Sequence, residues 1–214
     1  GDGLVASMSP TPAFGRGSAL RAVLLMTGST FATYATGLIV STLIARRLGP
    51  TEFGQYSYLI WLSGILVMCC INGLTLSGMR FVSEANGRGD GVEARNVYGW
   101  LRRLFWLSLV IVSLVFLVCY RWVAPSGWEG SYVFFAAMVL VSAIGKAGYL
   151  FETSVVKGYG LFNVEAHATS ILAVITLLGV VALVFAEADL HGFVIWFAVV
   201  SAGHWALTGF FMHR

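Results

Sequence analysis

Apolar residues run along this chain in six long stretches: Leu20–Ile44, Tyr56–Met79, Leu104–Tyr120, Tyr132–Val156, Ser170–Phe185 and Phe193–Met212. A helix needs about 20 apolar residues to cross about 30 Å of hydrocarbon. Lipid offers no hydrogen bonds, so a spanning segment must satisfy its own backbone. A membrane barrel would show short alternating strands instead. The pattern therefore predicts an all-α, polytopic membrane protein built as a bundle of six transmembrane helices.

The polar interruptions predict where the helices stop. Span one ends at Arg46-Arg47-Leu48-Gly49-Pro50. Gly49 can take a left-handed terminating conformation, and Pro50 cannot continue the preceding helix. Thr51-Glu52-Phe53-Gly54 then begins span two. Asn86–Gly91 is a polar loop, and Val92–Arg103 reads as a short amphipathic helix lying on the membrane face before span three. Lys157-Gly158-Tyr159-Gly160 breaks the chain after span four. Residues 1–18, rich in Gly, Ser and Pro, read as a flexible cytoplasmic tail, and residues 19–214 as a six-helix lobe. Met8 is a candidate start, with Gly1–Ser7 as upstream sequence.

Composition agrees: 58% of residues are hydrophobic and 11% charged, against about 25% charged in soluble domains. The net charge of +3 sits in the gaps between spans and does not point to nucleic acid. The N-terminal region, the third and fifth gaps and the C-terminus hold Arg16, Arg21, Arg80, Arg88, Arg95, Arg102, Arg103, Lys157 and Arg214. The second, fourth and sixth gaps hold only Arg46, Arg47 and Arg121. The positive-inside rule then places both termini in the cytoplasm. Trp100, Trp106, Trp122 and Trp128 fall near span ends, as interfacial aromatics do. Cys69, Cys70 and Cys119 lie within spans without metal-ligand spacing and read as packing residues.

Candidate chemistry lies in what interrupts the apolar surface. In span four, Ser142, Lys146, Tyr149 and Thr153 share a helix face, with Glu152 beside it. A lysine near the bilayer centre costs about 2.5–3.5 kcal/mol to insert. Such a residue faces a water-filled cavity, pairs with a counter-ion or snorkels, and the cavity reading is preferred for Lys146. Glu152 is open to snorkelling or function. His204, alone in span six, reads first as a packed histidine. Thr30, Thr33, Gly37 and Ser41 form a small-residue stripe in span one, read first as a packing face. Asn72-Gly73 inside span two is read the same way. No zinc-protease, phosphate-loop or paired acid–nucleophile pattern is present. No enzyme activity, cofactor or metal is expected.

The stretch Leu43-Ile44-Ala45-Arg46-Arg47-Leu48-Gly49-Pro50-Thr51-Glu52-Phe53-Gly54-Gln55-Tyr56-Ser57 resembles the signature joining the first two spans of polysaccharide exporters, the lipid-linked oligosaccharide (O-antigen type) flippases. Gly73 with Arg80-Phe81-Val82-Ser83-Glu84, the loop Gly87-Arg88-Gly89-Asp90 and Val156-Lys157-Gly158-Tyr159-Gly160 also fit. The resemblance covers about residues 20–214. It implies a superfamily that includes lipid II flippases and multidrug exporters, with 12 or 14 helices in two six-helix lobes around a central cationic cavity. This chain looks like the N-terminal lobe, so its implied partners are a C-terminal lobe or a second copy.

The resemblance further implies an inner-membrane exporter that flips undecaprenyl-diphosphate-linked oligosaccharide. Membrane lipid and polysaccharide polymerase machinery are the other candidate partners. On this reading the cavity-lining candidates are Lys146, Tyr149, Ser142, Thr153, Arg80, Glu152, Arg46, Arg47 and His204. A cation would meet the diphosphate, and hydroxyls and aromatics the sugars. A multidrug or ion antiporter of the same superfamily and a non-transporting assembly subunit are the alternatives.

Overall fold

The computed structural model describes the backbone of residues 16–89, 91–159 and 162–212, and the side chains of residues 31, 34–85, 87–89, 91–159 and 168–210. Residues 1–15 of the expected tail lie outside this range. The described chain is helical apart from short turns: α1 Arg16–Ile71, α2 Leu74–Gly87, α3 Gly91–Val123, α4 Tyr132–Gly158, α5 Phe162–Phe185 and α6 Leu190–Met212, with a 3-10 turn at Ser126–Trp128. Among the described residues, five helices are long and apolar enough to cross a membrane. One of them, α1, carries the first two expected spans, divided at Gly49. That residue adopts φ 73 and ψ 177, which essentially only glycine tolerates. Pro50 follows at once, where a missing N–H costs a new helix nothing. The chain forms two compact units, Gly1–Ile39 and Val40–Arg214.

Within the second unit, α4 is the hub. It packs most extensively on α6 and next on α2, and also meets α3 and α5. The core runs through Leu59, Leu62, Leu101, Phe105, Val139 and Phe151. Phe105 and Phe151 stack with ring centroids 4.8 Å apart, tying α3 to α4.

The turns sort to two ends. Arg47 Nη2 donates to the Glu187 carbonyl at 2.6 Å, and Tyr58 donates to the Val123 carbonyl at 2.7 Å. The His191 ring lies 4.9 Å from that of Phe134. The second, fourth and sixth gaps therefore share one end of the unit. At the other end, the α4 terminus at Gly158 meets Val82 of α2, where a Cβ would lie 2.9 Å from the Val82 Cβ. This alternation is the one expected of successive membrane crossings.

Five expectations change. The amphipathic stretch before span three is no separate helix. It is the start of α3, which runs unbroken for 33 residues, about 50 Å, because no proline interrupts it. Ala94, Leu101 and Phe105 form its continuous buried face. Span two, by contrast, is broken. The chain turns at Asn72-Gly73, with Gly73 at φ 77, before restarting as α2. Asn72 is exposed rather than packed on a neighbouring helix. Gly37 and Ser41 are also exposed rather than packed, while the side chains of Thr30 and Thr33 lie outside the described residues. Finally, Trp128 is no interfacial aromatic. It is fully buried and stacks on Phe135 at 4.8 Å, because the 3-10 turn folds it inward.

Candidate functional site

The central feature is the crossing of α4 and α6. A Cβ on Gly145 would lie 2.6 Å from the carbonyl carbon and oxygen of Ser201, and one on Gly148 would lie 2.6 Å from Cδ2 of Trp205. At Gly145 the obstruction is backbone, so the position requires glycine and the helices approach as close as backbone allows there; at Gly148 it is the Trp205 indole. Small residues permit such crossings in membranes, where dispersion and hydrogen bonding hold helices together.

The crossing sets the surroundings of the adjacent polar residues. Lys146 is half-buried, with Nζ 5.2 Å from the centroid of Phe197 on α6, within range of a cation–π attraction. No carboxylate lies within ion-pair distance of it among the described residues. One turn on, the Tyr149 ring lies 4.9 Å from that of His204. The Tyr149 hydroxyl shares a hydrogen bond with Thr169 Oγ1 of α5 at 3.1 Å. Lys146, Tyr149 and His204 thus form one group, contributed by α4 and α6 and buttressed by α5.

The other span-four candidates point elsewhere. Ser142 and Thr153 are buried in helix packing, and neither hydroxyl has a hydrogen-bond partner among the described residues. Glu152 is buried toward α3, where the Tyr98 hydroxyl lies 3.3 Å from each carboxylate oxygen. Arg102 flanks Tyr98, with Cζ 6.0 Å from the ring centroid. The helix face is therefore one stripe on paper but three environments in space: a half-open cation and phenol, two enclosed hydroxyls, and a carboxylate held by another helix.

The arginines are remote from this group in the fold's layout. Arg46 and Arg47 sit at the turn end; Arg46 is exposed, and Arg47 is engaged with the Glu187 carbonyl. Arg80, on α2, is exposed. Thr169, Phe197 and Tyr98 belong to these surroundings although sequence reading did not select them. The Gly145–Gly148 spacing on α4, with Gly145 facing Ser201 and Ala202 and Gly148 facing Trp205, was the available signal for the crossing itself. The described residues contain no group of three or more metal-ligating side chains. A cation beside a phenol and an imidazole can attract an anion and hydrogen-bond hydroxyls.

A family model described as polysaccharide biosynthesis protein matches residues 19–211. Neither a curated protein nor a solved structure matches the chain.

Proposed function

The chain belongs to the polysaccharide biosynthesis protein family, and on that premise we propose that it is a lobe of a transporter that moves lipid-linked oligosaccharide, carried on undecaprenyl diphosphate, across the cytoplasmic membrane. Both termini face the cytoplasm in this reading, supported by the arginine-rich third gap. Alternating access would move this lobe against a second one, as in other repeat-built transporters.

The observation that carries the proposal is Lys146. A lysine in the middle of a spanning helix, partly buried and without a carboxylate partner among the described residues, is poorly explained by packing. It is well explained by an anionic cargo. Phe197 lowers the cost of the charge at rest, and Tyr149 and His204 add hydrogen-bonding groups for a sugar–diphosphate headgroup.

The test is surface-glycan yield in cells that depend on this protein, at matched membrane levels. Lys146→Ala should insert normally, since removing a buried charge eases insertion, yet export should fall at least tenfold. Lys146→Arg should retain more, because the charge is kept while the planar guanidinium fits the space differently. Undiminished export by Lys146→Ala would sink the proposal.

A further inference from the structure

We infer that the break at Asn72-Gly73 faces water within the membrane, lining an aqueous path where its polar groups hydrogen-bond the hydroxyls of the passing headgroup. The second half of this inference rests on the exporter reading; the first does not.

Depth comes from two independent helices. Tyr58 reaches the Val123 carbonyl at one end of the unit, and Ser108 of α3 donates to the Cys70 carbonyl at 3.0 Å beside the break. From Tyr58 to Cys70 is about 18 Å of helix, and from Val123 back to Ser108 about 22 Å. With the Tyr58–Val123 level, beside Arg121 and Trp122, taken as the hydrocarbon edge, both place the break about 20 Å into a layer of about 30 Å. Arg103 lies a further 8 Å or so along α3, toward the arginine-rich end. The break is thus inside the bilayer, not at its surface.

A helix break leaves backbone groups without intrahelical partners. Here Ser108 takes the Cys70 carbonyl, and Ser77 N–H donates to the Gly73 carbonyl at 3.0 Å. The side chains of Asn72 and Thr75 make no hydrogen bond among the described residues. Asn72 and Gly73 are exposed, at a groove of about 450 Å³ whose other walls are Cys69 and Thr75 and the apolar Met68, Ile71 and Leu76. Facing lipid, each unsatisfied polar group would cost several kcal/mol. Irregular backbone at this depth persists only where protein covers it or water reaches it. Among the described residues no helix of this unit covers it, and an amide, a hydroxyl and a turn of open backbone make a surface that water can satisfy. Discontinuous helices of this kind form polar sites in other transporters.

Cys69 supplies a native probe. It is exposed in the groove, whereas Cys70 is buried and Cys119 half-buried. Thiols react with a charged methanethiosulfonate only where water reaches them, since the thiolate is the nucleophile. In the unaltered protein in its own membrane, peptide mass analysis should find Cys69 modified by methanethiosulfonate ethylsulfonate. Leu114→Cys, on an exposed apolar stretch of α3, should remain unmodified at position 114. An unmodified Cys69, or equal modification at both positions, would overturn the aqueous path whatever the cargo. For the headgroup contact, Asn72→Leu should reduce glycan export several-fold at matched protein level while Asn72→Gln keeps most of it. Unchanged export by Asn72→Leu would remove the headgroup contact and leave the labelling result to stand by itself.

Discussion

Gly145→Ala tests the helix crossing that sets the position of Lys146. A methyl at residue 145 would lie 2.6 Å from the Ser201 carbonyl carbon and oxygen and 2.7 Å from the Ala202 nitrogen. Carbon contacts are comfortable at about 3.5–4.0 Å, so α6 would have to retreat by about 1 Å. The obstructing atoms are backbone, and no rotamer change relieves them. Overpacking costs about 1–3 kcal/mol, and an immovable neighbour places this case at the upper end. Alanine returns about 1 kcal/mol of helix propensity. The balance is a destabilisation of about 2 kcal/mol. On the scale of soluble proteins of this length, that lowers the melting temperature by about 4–8 °C. Gly64→Ala is the matched control. It also lies within a helix, but its Cβ would meet nothing within 4 Å, so it should be neutral or stabilising by up to about 1 kcal/mol. Thermal unfolding of the three proteins in one detergent decides the matter. A Gly145→Ala protein as stable as the parent, or a Gly64→Ala protein weakened to the same degree, would refute the crossing geometry.

Two further substitutions probe the turns. Gly49→Ala should lower stability by about 1–3 kcal/mol through backbone strain alone, because its Cβ would meet nothing within 4 Å; an unchanged melting temperature would contradict the φ of 73. Asp189 caps α6 by accepting the Gly192 N–H at 3.1 Å. That bond, with His191 at 3.3 Å, holds its carboxyl below the usual carboxylate range. Its stabilisation is therefore complete above the unfolded pKa of about 3.9 and is lost as pH falls through the lower folded value. Asp189→Ala should cost about 1 kcal/mol at neutral pH, and melts taken down the acid range should show that gap shrinking only below about pH 3.9; a gap that shrinks at higher pH would contradict the cap.

Helix number and class were legible because apolarity over about 20 residues is a sum that no single residue alters. The Gly49-Pro50 stop was legible for the opposite reason: two adjacent residues each forbid a regular helix. The break at Asn72-Gly73 was hidden, since one asparagine and one glycine scarcely change the mean over Tyr56–Met79. Trp128 was misplaced because nearness to a span end does not reveal a 3-10 turn folding the ring into the core. The site was legible only as far as one helix goes. Spacing put Ser142, Lys146, Tyr149 and Thr153 on one face, but which neighbour covers each is decided by α3, α5 and α6. Hence Thr169, Phe197 and Tyr98, which define the surroundings, lay beyond any single-helix argument.

The polar groups of this fold divide by whether the lobe itself satisfies them. Tyr58, Tyr98, Ser108 and Tyr120 each find a partner on another element, a carbonyl or a carboxylate. Such bonds are worth about 1–2 kcal/mol at best between membrane helices, and they explain these residues as structure. Ser142 and Thr153 lack a hydrogen-bond partner among the described residues but are enclosed in helix packing; Lys146 and Asn72 have no hydrogen-bond or ion-pair partner there either and are not enclosed. A polar group that the lobe leaves open cannot be explained by the lobe's own stability, because an apolar residue at either position would remove a cost. The two positions lie on different helices and interrupt the apolar surface in different ways, one by a charge and the other by unwound backbone. Water or cargo reaching both accounts for the pair with one assumption, whereas packing would need a separate reason for each.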